Sequence, residues 1–75
     1  LYFFPFFYII VSGSFQSKKN AQTRVRQLKR INSSAFIFHN PNNGNYYACL
    51  GSFETKEKAI AYLKTTSEEG WVFKR

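Results

Sequence analysis

Apolar runs and amphipathic stretches alternate along this chain of 75 residues. Four runs have the length and residue types of strands, at 6–11, 35–39, 46–50 and 71–74. Two stretches, 18–32 and 56–67, carry apolar residues three or four positions apart and are predicted to be helices. The segment 40–44, NPNNG, is a strong hairpin turn signal. The predicted order is strand, helix, strand, strand, helix, strand.

An internal repeat links the two halves of the chain. Segment 13–21, GSFQSKKNA, aligns with segment 51–59, GSFETKEKA, at an offset of 38 residues. Each copy follows a predicted strand and precedes a predicted helix, so we expect its Gly-Ser-Phe to form a turn. Ser17 and Thr55 are then placed as N-caps of the two helices. We expect Phe15 and Phe53 to plug the end of the core.

A duplicated split βαβ unit follows from this order, an α+β fold of the ferredoxin-like or RNP-like kind. Right-handed crossovers place both helices on one face of a four-stranded antiparallel sheet. The helix residues expected to face the sheet are Ala21, Val25, Leu28, Ile31, Ala59, Ile60 and Leu63.

The alternation of side chains along each strand sorts the strand residues into two faces. We assign Leu50, and with it Tyr8, Ile10, Ser12, Tyr46 and Ala48, to the helix-covered face. The residues predicted to be exposed on the other face are Phe7, Ile9, Val11, Tyr47, Cys49, Trp71 and Phe73. An exposed apolar patch of this kind indicates an interaction surface. Flat aromatic rings suit sugars and nucleobases alike, so the face alone does not separate these ligands.

The formal net charge is +7, which favours an anionic partner. Six cations lie in the first predicted helix: Lys18, Lys19, Arg24, Arg26, Lys29 and Arg30. This basic cluster is interpreted as a solvated face, with contact to anionic lipid or a wall polymer as the alternative.

The sequence offers no catalytic constellation. Asp is absent, and the four glutamates stand at helix ends or turns. His39 is the single histidine and is interpreted as a hairpin-edge residue, while the single Cys49 is interpreted as a small apolar filler. We therefore expect no enzyme activity, no metal site and no cofactor.

The length allows one domain, 1–75, with a core over 8–74 and with residues 1–5 as a linker, an extended end or an added segment. The first residue is Leu1 rather than Met, so we expect this domain to be part of a longer protein. Any signal peptide or membrane anchor would then lie upstream. We expect a monomer.

The two Gly-Ser-Phe-x-[Ser/Thr]-Lys-x-x-Ala copies, the Asn-Gly hairpin and the closing Trp-Val-Phe-Lys resemble the SPOR domain family, also called the sporulation-related repeat. The resemblance covers roughly 8–74. It implies a non-catalytic module that binds peptidoglycan glycan strands stripped of their stem peptides. It also implies a place in the periplasm or cell envelope, with enrichment at the division septum.

The family's contact surface is the sheet face without helices, and its contact positions correspond here to Val11, Ser14 and Trp71. Val11 departs from the family, because many members carry a polar side chain such as Gln there. Recognition is therefore expected to fall mainly on Tyr47, Trp71 and the loop around Ser14. The full set of candidate ligand-binding residues is Ile9, Val11, Ser14, Gln16, Tyr47, Cys49, Trp71 and Phe73.

Two alternatives share this topology. An RNP-like domain would bind single-stranded RNA on the same face, but the RNP1 pattern of glycine and aromatic residues is missing, so no nucleic acid is expected. A protein-interaction or dimerisation domain would use the apolar face directly.

Overall fold

The computed structural model describes residues 7–75. Its elements are β1 (Tyr8–Phe15), α1 (Lys18–Leu28), β2 (Phe36–His39), β3 (Tyr46–Phe53), α2 (Lys56–Lys64) and β4 (Trp71–Lys74). The predicted order of strands and helices is confirmed. The predicted start of the first strand at Phe6 and the assignment of residues 1–5 lie outside the described residues.

The four strands form one sheet in the order β2-β3-β1-β4, and every neighbouring pair is antiparallel. The main core lies between the sheet and the two helices, where Ile10 and Leu50 of the central strands meet Val25, Leu28 and Ala59. Tyr8 and Ala48 belong to the same core. The predicted α+β fold, with both helices on one face, is confirmed. The alternation of side chains along the strands correctly predicted that these strand residues face the helices.

The expected Gly-Ser-Phe turns are wrong, because both copies of the motif lie inside strands that continue to Phe15 and Phe53. A β-bulge instead stands at the start of each copy. In β1, Ser12 and Gly13 separate the two residues that pair with Cys49 and Tyr47 of β3. Only one residue separates Cys49 from Tyr47 in β3, so β1 has one residue more. In β3 one extra residue, Leu50, stands between the partners of Ile10 and Val11. The repeat therefore encodes a bulge at equivalent positions of the two central strands.

The motif glycine is required by the motif phenylalanine. A Cβ at Gly13 would lie 2.8 Å from Cε2 of Phe15, so the aromatic ring occupies the space of the missing side chain. Gly51 and Phe53 repeat this arrangement, with 3.2 Å to the ring. Both rings pack against the helix-covered core, as expected for residues that plug its end.

Both helices begin where predicted and end early. The Ser17 and Thr55 hydroxyls accept from the backbone N–H groups of Asn20 and Lys58, at 3.3 and 3.1 Å, which confirms the two N-caps.

The helices end at Leu28 and Lys64 rather than at 32 and 67. After Leu28 the N–H of Ile31 donates to its carbonyl at 2.9 Å in a tightened turn, and Ile31 is 42% exposed, contrary to prediction. After Lys64 the hydroxyl of Thr65 donates to the carbonyl of Tyr62 at 2.6 Å, which satisfies a helix-end acceptor locally.

Gly13→Ala is expected to lower the free energy of unfolding by about 1–3 kcal/mol, because the new methyl group displaces the packed ring of Phe15. Urea unfolding measures this loss. In a Phe15→Leu background the same substitution should cost clearly less, since the ring is gone. An equal cost in both backgrounds would show that the ring does not impose the glycine.

Candidate functional site

The face without helices is closed by its own side chains. Ile9, Val11 and Cys49 of the two central strands have no exposed surface, and Tyr47 is 7% exposed. The prediction that these four residues are exposed is therefore wrong, although they do share one cluster separate from the helix-covered core. Half-buried aromatic residues of the edge strands pack against this cluster, and they are Phe36, Phe38 and Phe73.

The aromatic rings meet above the middle of this face. The ring centroids of Phe38 in β2 and Phe73 in β4 lie 6.0 Å apart, although these strands are at opposite edges of the sheet. Tyr47 stands among them, with its ring edge-on to Phe73 at 5.4 Å and to Trp71 at 6.1 Å. We call these four residues the aromatic layer. Tilted and edge-on rings at such distances attract one another in addition to burying area.

The aromatic layer follows the internal repeat. In the sheet Trp71 pairs with Val11, and Phe36 pairs with Cys49. Val11 and Cys49 occupy equivalent positions in the repeat, so Trp71 and Phe36 are counterparts. Phe73 and Phe38 likewise pair with the equivalent residues Ile9 and Tyr47. The two halves differ in what they expose: Trp71 is 46% exposed, whereas its counterpart Phe36 is half-buried. The duplication therefore yields one prominent ring at the β4 edge.

The β2–β3 hairpin fixes the centre of the aromatic layer. The phenol oxygen of Tyr47 accepts from Nδ2 of Asn40 at 3.0 Å and from Nδ2 of Asn43 at 3.2 Å. Asn40 is itself buried, and its Oδ1 accepts from the N–H of Asn42 at 3.0 Å. Ring contacts and hydrogen bonds to the hydroxyl therefore fix the side chain of Tyr47, and the other rings of the aromatic layer pack against it.

Three contacts hold the segment that leads into Trp71. Gly70 packs so closely on β1 that a Cβ there would lie 2.6 Å from the carbonyl oxygen of Val11. The Ser12 hydroxyl donates to the carbonyl of Glu69 at 2.9 Å. Arg24 of α1 donates to Ser12 Oγ at 3.2 Å and forms an ion pair with Glu68. The backbone immediately before Trp71 is thus fixed to both β1 and α1.

The bulge in β1 brings Ser14 to the helix-free face. Ser14 pairs directly with Tyr47, and residues directly opposite each other in a sheet share a face. Its hydroxyl oxygen accepts from Nδ2 of Asn45 at 3.0 Å, and the side chain is exposed. Gln16, one residue after β1 ends, is exposed too.

Two concave regions adjoin the aromatic layer. One, of about 360 Å³, lies beside Trp71 and is lined by Ser12, Gly13, Glu69 and Gly70. The other, of about 580 Å³, has Phe38 and Phe73 in its wall together with hairpin residues 39–42 and the end of β4. The guanidinium of Arg75 lies 5.5 Å from the ring centroid of Phe36 and 5.9 Å from that of Phe38. Aromatic, amide and cationic groups therefore meet on one face.

The sequence reasoning missed Phe38, Asn40 and Asn45. A signal for Phe38 was available, because a hairpin over 40–45 places residue 38 opposite Tyr47 and hence on its face. From the sequence Asn40 is assigned only to the hairpin turn and Asn45 is given no role, and nothing in their spacing indicates which hydroxyl each one binds.

Burial raises the pKa of the Cys49 thiol to about 12, well above the usual range of a thiol. Within residues 7–75 no group of three or more His, Cys, Asp or Glu side chains could hold a metal ion. No helix in that range is long and apolar enough to cross a membrane.

A small antiparallel sheet with helices on one side and an aromatic layer with polar loops on the other defines a surface-binding module. The sequence model of the SPOR domain family matches residues 5–74, so this chain belongs to that family. SPOR domains are peptidoglycan-binding modules of cell-envelope proteins related to division. No curated protein and no solved structure matches the chain.

Tyr47→Phe is expected to cost about 1–3 kcal/mol of unfolding free energy, because the buried Asn40 amide loses its acceptor while the ring remains. Thermal or urea unfolding measures the loss. Tyr46→Phe is the matched control in the adjacent residue, which stacks on His39 and should change stability little. Equal effects of the two substitutions would contradict the role of the Tyr47 hydroxyl.

Cys49 is expected to be almost unreactive towards Ellman's reagent at pH 8 in the native protein. The thiolate is the reactive form, and burial both excludes the reagent and holds the thiol protonated, with its pKa near 12. In denaturing urea the same thiol should react fully, which is the internal control. Rapid labelling of the folded protein would show that the layer above Cys49 opens.

Proposed function

We propose that this domain binds peptidoglycan glycan strands that have lost their stem peptides, and that it thereby directs a cell-envelope protein to sites of wall remodelling such as the division septum. It acts as a binding module without catalysis. The observation that carries the proposal is the exposed ring of Trp71, held on a fixed backbone beside a polar groove.

Trp71 is suited to the face of a pyranose ring. Among the described residues it is the most exposed large hydrophobic side chain, at 46%. Its edge-on contact with Tyr47 and the bonds of the preceding segment limit its movement before a ligand arrives. An aromatic platform that is already ordered loses little side-chain entropy on binding, so more of the stacking energy becomes affinity.

Polar groups around Trp71 match the hydroxyl and acetamido groups of a glycan. The groove beside the ring is lined by Gly13, Glu69 and Gly70, whose polar groups can bond to a sugar. Because the oxygen of Ser14 accepts from Asn45, its hydroxyl hydrogen is directed elsewhere and can donate to a sugar. Gln16 extends the polar row beyond the end of β1.

Under this proposal, four of the eight residues expected from sequence to bind the glycan contact it, and the other four lie beneath them. Trp71, Phe73, Ser14 and Gln16 contact the ligand. The other four support them from below, and they are Ile9, Val11, Tyr47 and Cys49. The apolar Val11 fits this division, because a polar side chain in its fully buried position would require a hydrogen-bond partner.

Removal of the stem peptides favours binding for a steric and an electrostatic reason. Bulk attached to every second sugar would crowd the groove beside Trp71 and keep the sugar ring away from the indole. A stripped strand also bears free lactyl carboxylates, which the guanidinium of Arg75 on the same face can attract.

Trp71→Ala is expected to weaken binding to amidase-stripped sacculi about tenfold or more, because loss of a central aromatic contact costs over about 1.4 kcal/mol. Co-sedimentation at several protein concentrations measures the affinity. Ile31→Ala is the matched control, since Ile31 has a similar exposed fraction but follows α1. It should bind as the unmodified domain does.

Stripped sacculi should also bind more protein than untreated sacculi. Equal binding to the two would contradict selection for denuded glycan. Filter binding to single-stranded RNA tests the alternative ligand: tight, Trp71-dependent and steeply salt-dependent retention of RNA would replace the glycan proposal.

A further inference from the structure

We infer that the exposed basic flank of α1 docks on the surface of an anionic phospholipid membrane. The positive charge of this protein is concentrated there. All four acids of the chain lie between 54 and 69, among three lysines, so that region is close to neutral. The first 53 residues hold six cations and no acid, and all six cations lie between 18 and 30.

Five of these six cations make no ion pair within residues 7–75. Arg24 is bound to Glu68, and the other described ion pair joins Lys58 to Glu54. The remaining five are exposed, and they are Lys18, Lys19, Arg26, Lys29 and Arg30. With 3.6 residues per turn they project from one flank of α1 and its final turn, over a length of roughly 18 Å.

Exposed cations spread along the length of a helix suit an extended anionic surface better than a small discrete ligand. A concave region beside α1 lies on the helix's other flank, where Asn20, Thr23 and Gln27 line it. Ile31, an exposed apolar side chain, follows Lys29 and Arg30 directly in the sequence, after the end of α1. An apolar side chain next to cations in sequence can enter the headgroup region of a bilayer, which favours a lipid surface over a soluble polyanion.

The position of α1 gives this contact a consequence, which rests on the proposed function. Both helices cover one face of the sheet, while Trp71 and Ser14 belong to the opposite side. A domain that rests on the membrane through α1 therefore presents its glycan-binding face away from the bilayer, towards the wall. The lipid contact itself does not depend on which ligand that face binds.

Vesicle sedimentation of the 75-residue domain tests the inference. Vesicles of phosphatidylglycerol mixed with phosphatidylcholine should bind the domain, vesicles of phosphatidylcholine alone should not, and added salt should release it. Lys29→Gln/Arg30→Gln should weaken binding about 30-fold, because each basic residue near an anionic surface contributes about 1 kcal/mol. Ile31→Ser should weaken it with no change in charge.

Lys56→Gln/Lys64→Gln is the matched control, because it removes the same charge from the exposed surface of α2. Equal loss in the two double variants would attribute binding to net charge and overturn the α1 surface. Equal binding to neutral vesicles, or an Ile31→Ser variant that binds like the unmodified domain, would also overturn it. Both double variants should retain binding to stripped sacculi, so failure here is distinguishable from failure of the glycan proposal.

Discussion

The contact between Phe38 and Phe73 is the constraint on which the helix-free face depends. Both helices lie on one side of the sheet, so the other side must bury Ile9, Val11 and Cys49 without them. Rings from the two edge strands meet 6.0 Å apart above the central strands and pack against these side chains. The result is a second small core whose outer surface is aromatic and preorganised.

The internal repeat gives this face its symmetric geometry, and the two halves differ in what they expose. Equivalent bulges in β1 and β3 keep Phe15 and Phe53 in the main core, and equivalent edge residues form the aromatic layer. The first copy places its bulge beside Trp71 and the fixed Glu69–Gly70 segment. The second copy has Phe36 under the guanidinium of Arg75 instead. One half of a symmetric scaffold therefore carries the exposed ring.

Periodicity and the repeat predicted the order of the elements, both N-caps, the helix-covered face and the limits of β4, because these follow from local residue patterns. The bulges were not predictable in the same way. The residue types Gly-Ser-Phe are typical of a turn, and only the structure shows that the ring of Phe15 fills the space at Gly13. The burial of Tyr47 and Val11 depends on rings from distant strands, and alternation gives the face of a residue but not what covers it. The hydrogen bond from Asn40 to Tyr47 is likewise a tertiary feature.

The central claim is that glycan contacts the aromatic layer at Trp71 and the bulge of β1. Nuclear magnetic resonance titration with soluble glycan fragments from amidase-stripped peptidoglycan tests it most directly. The account predicts saturable shifts of the Trp71 indole N–H and of the amides of Ser14 and Phe73, with α1 unchanged. Shifts confined to α1, or none at concentrations that saturate binding to sacculi, would contradict it.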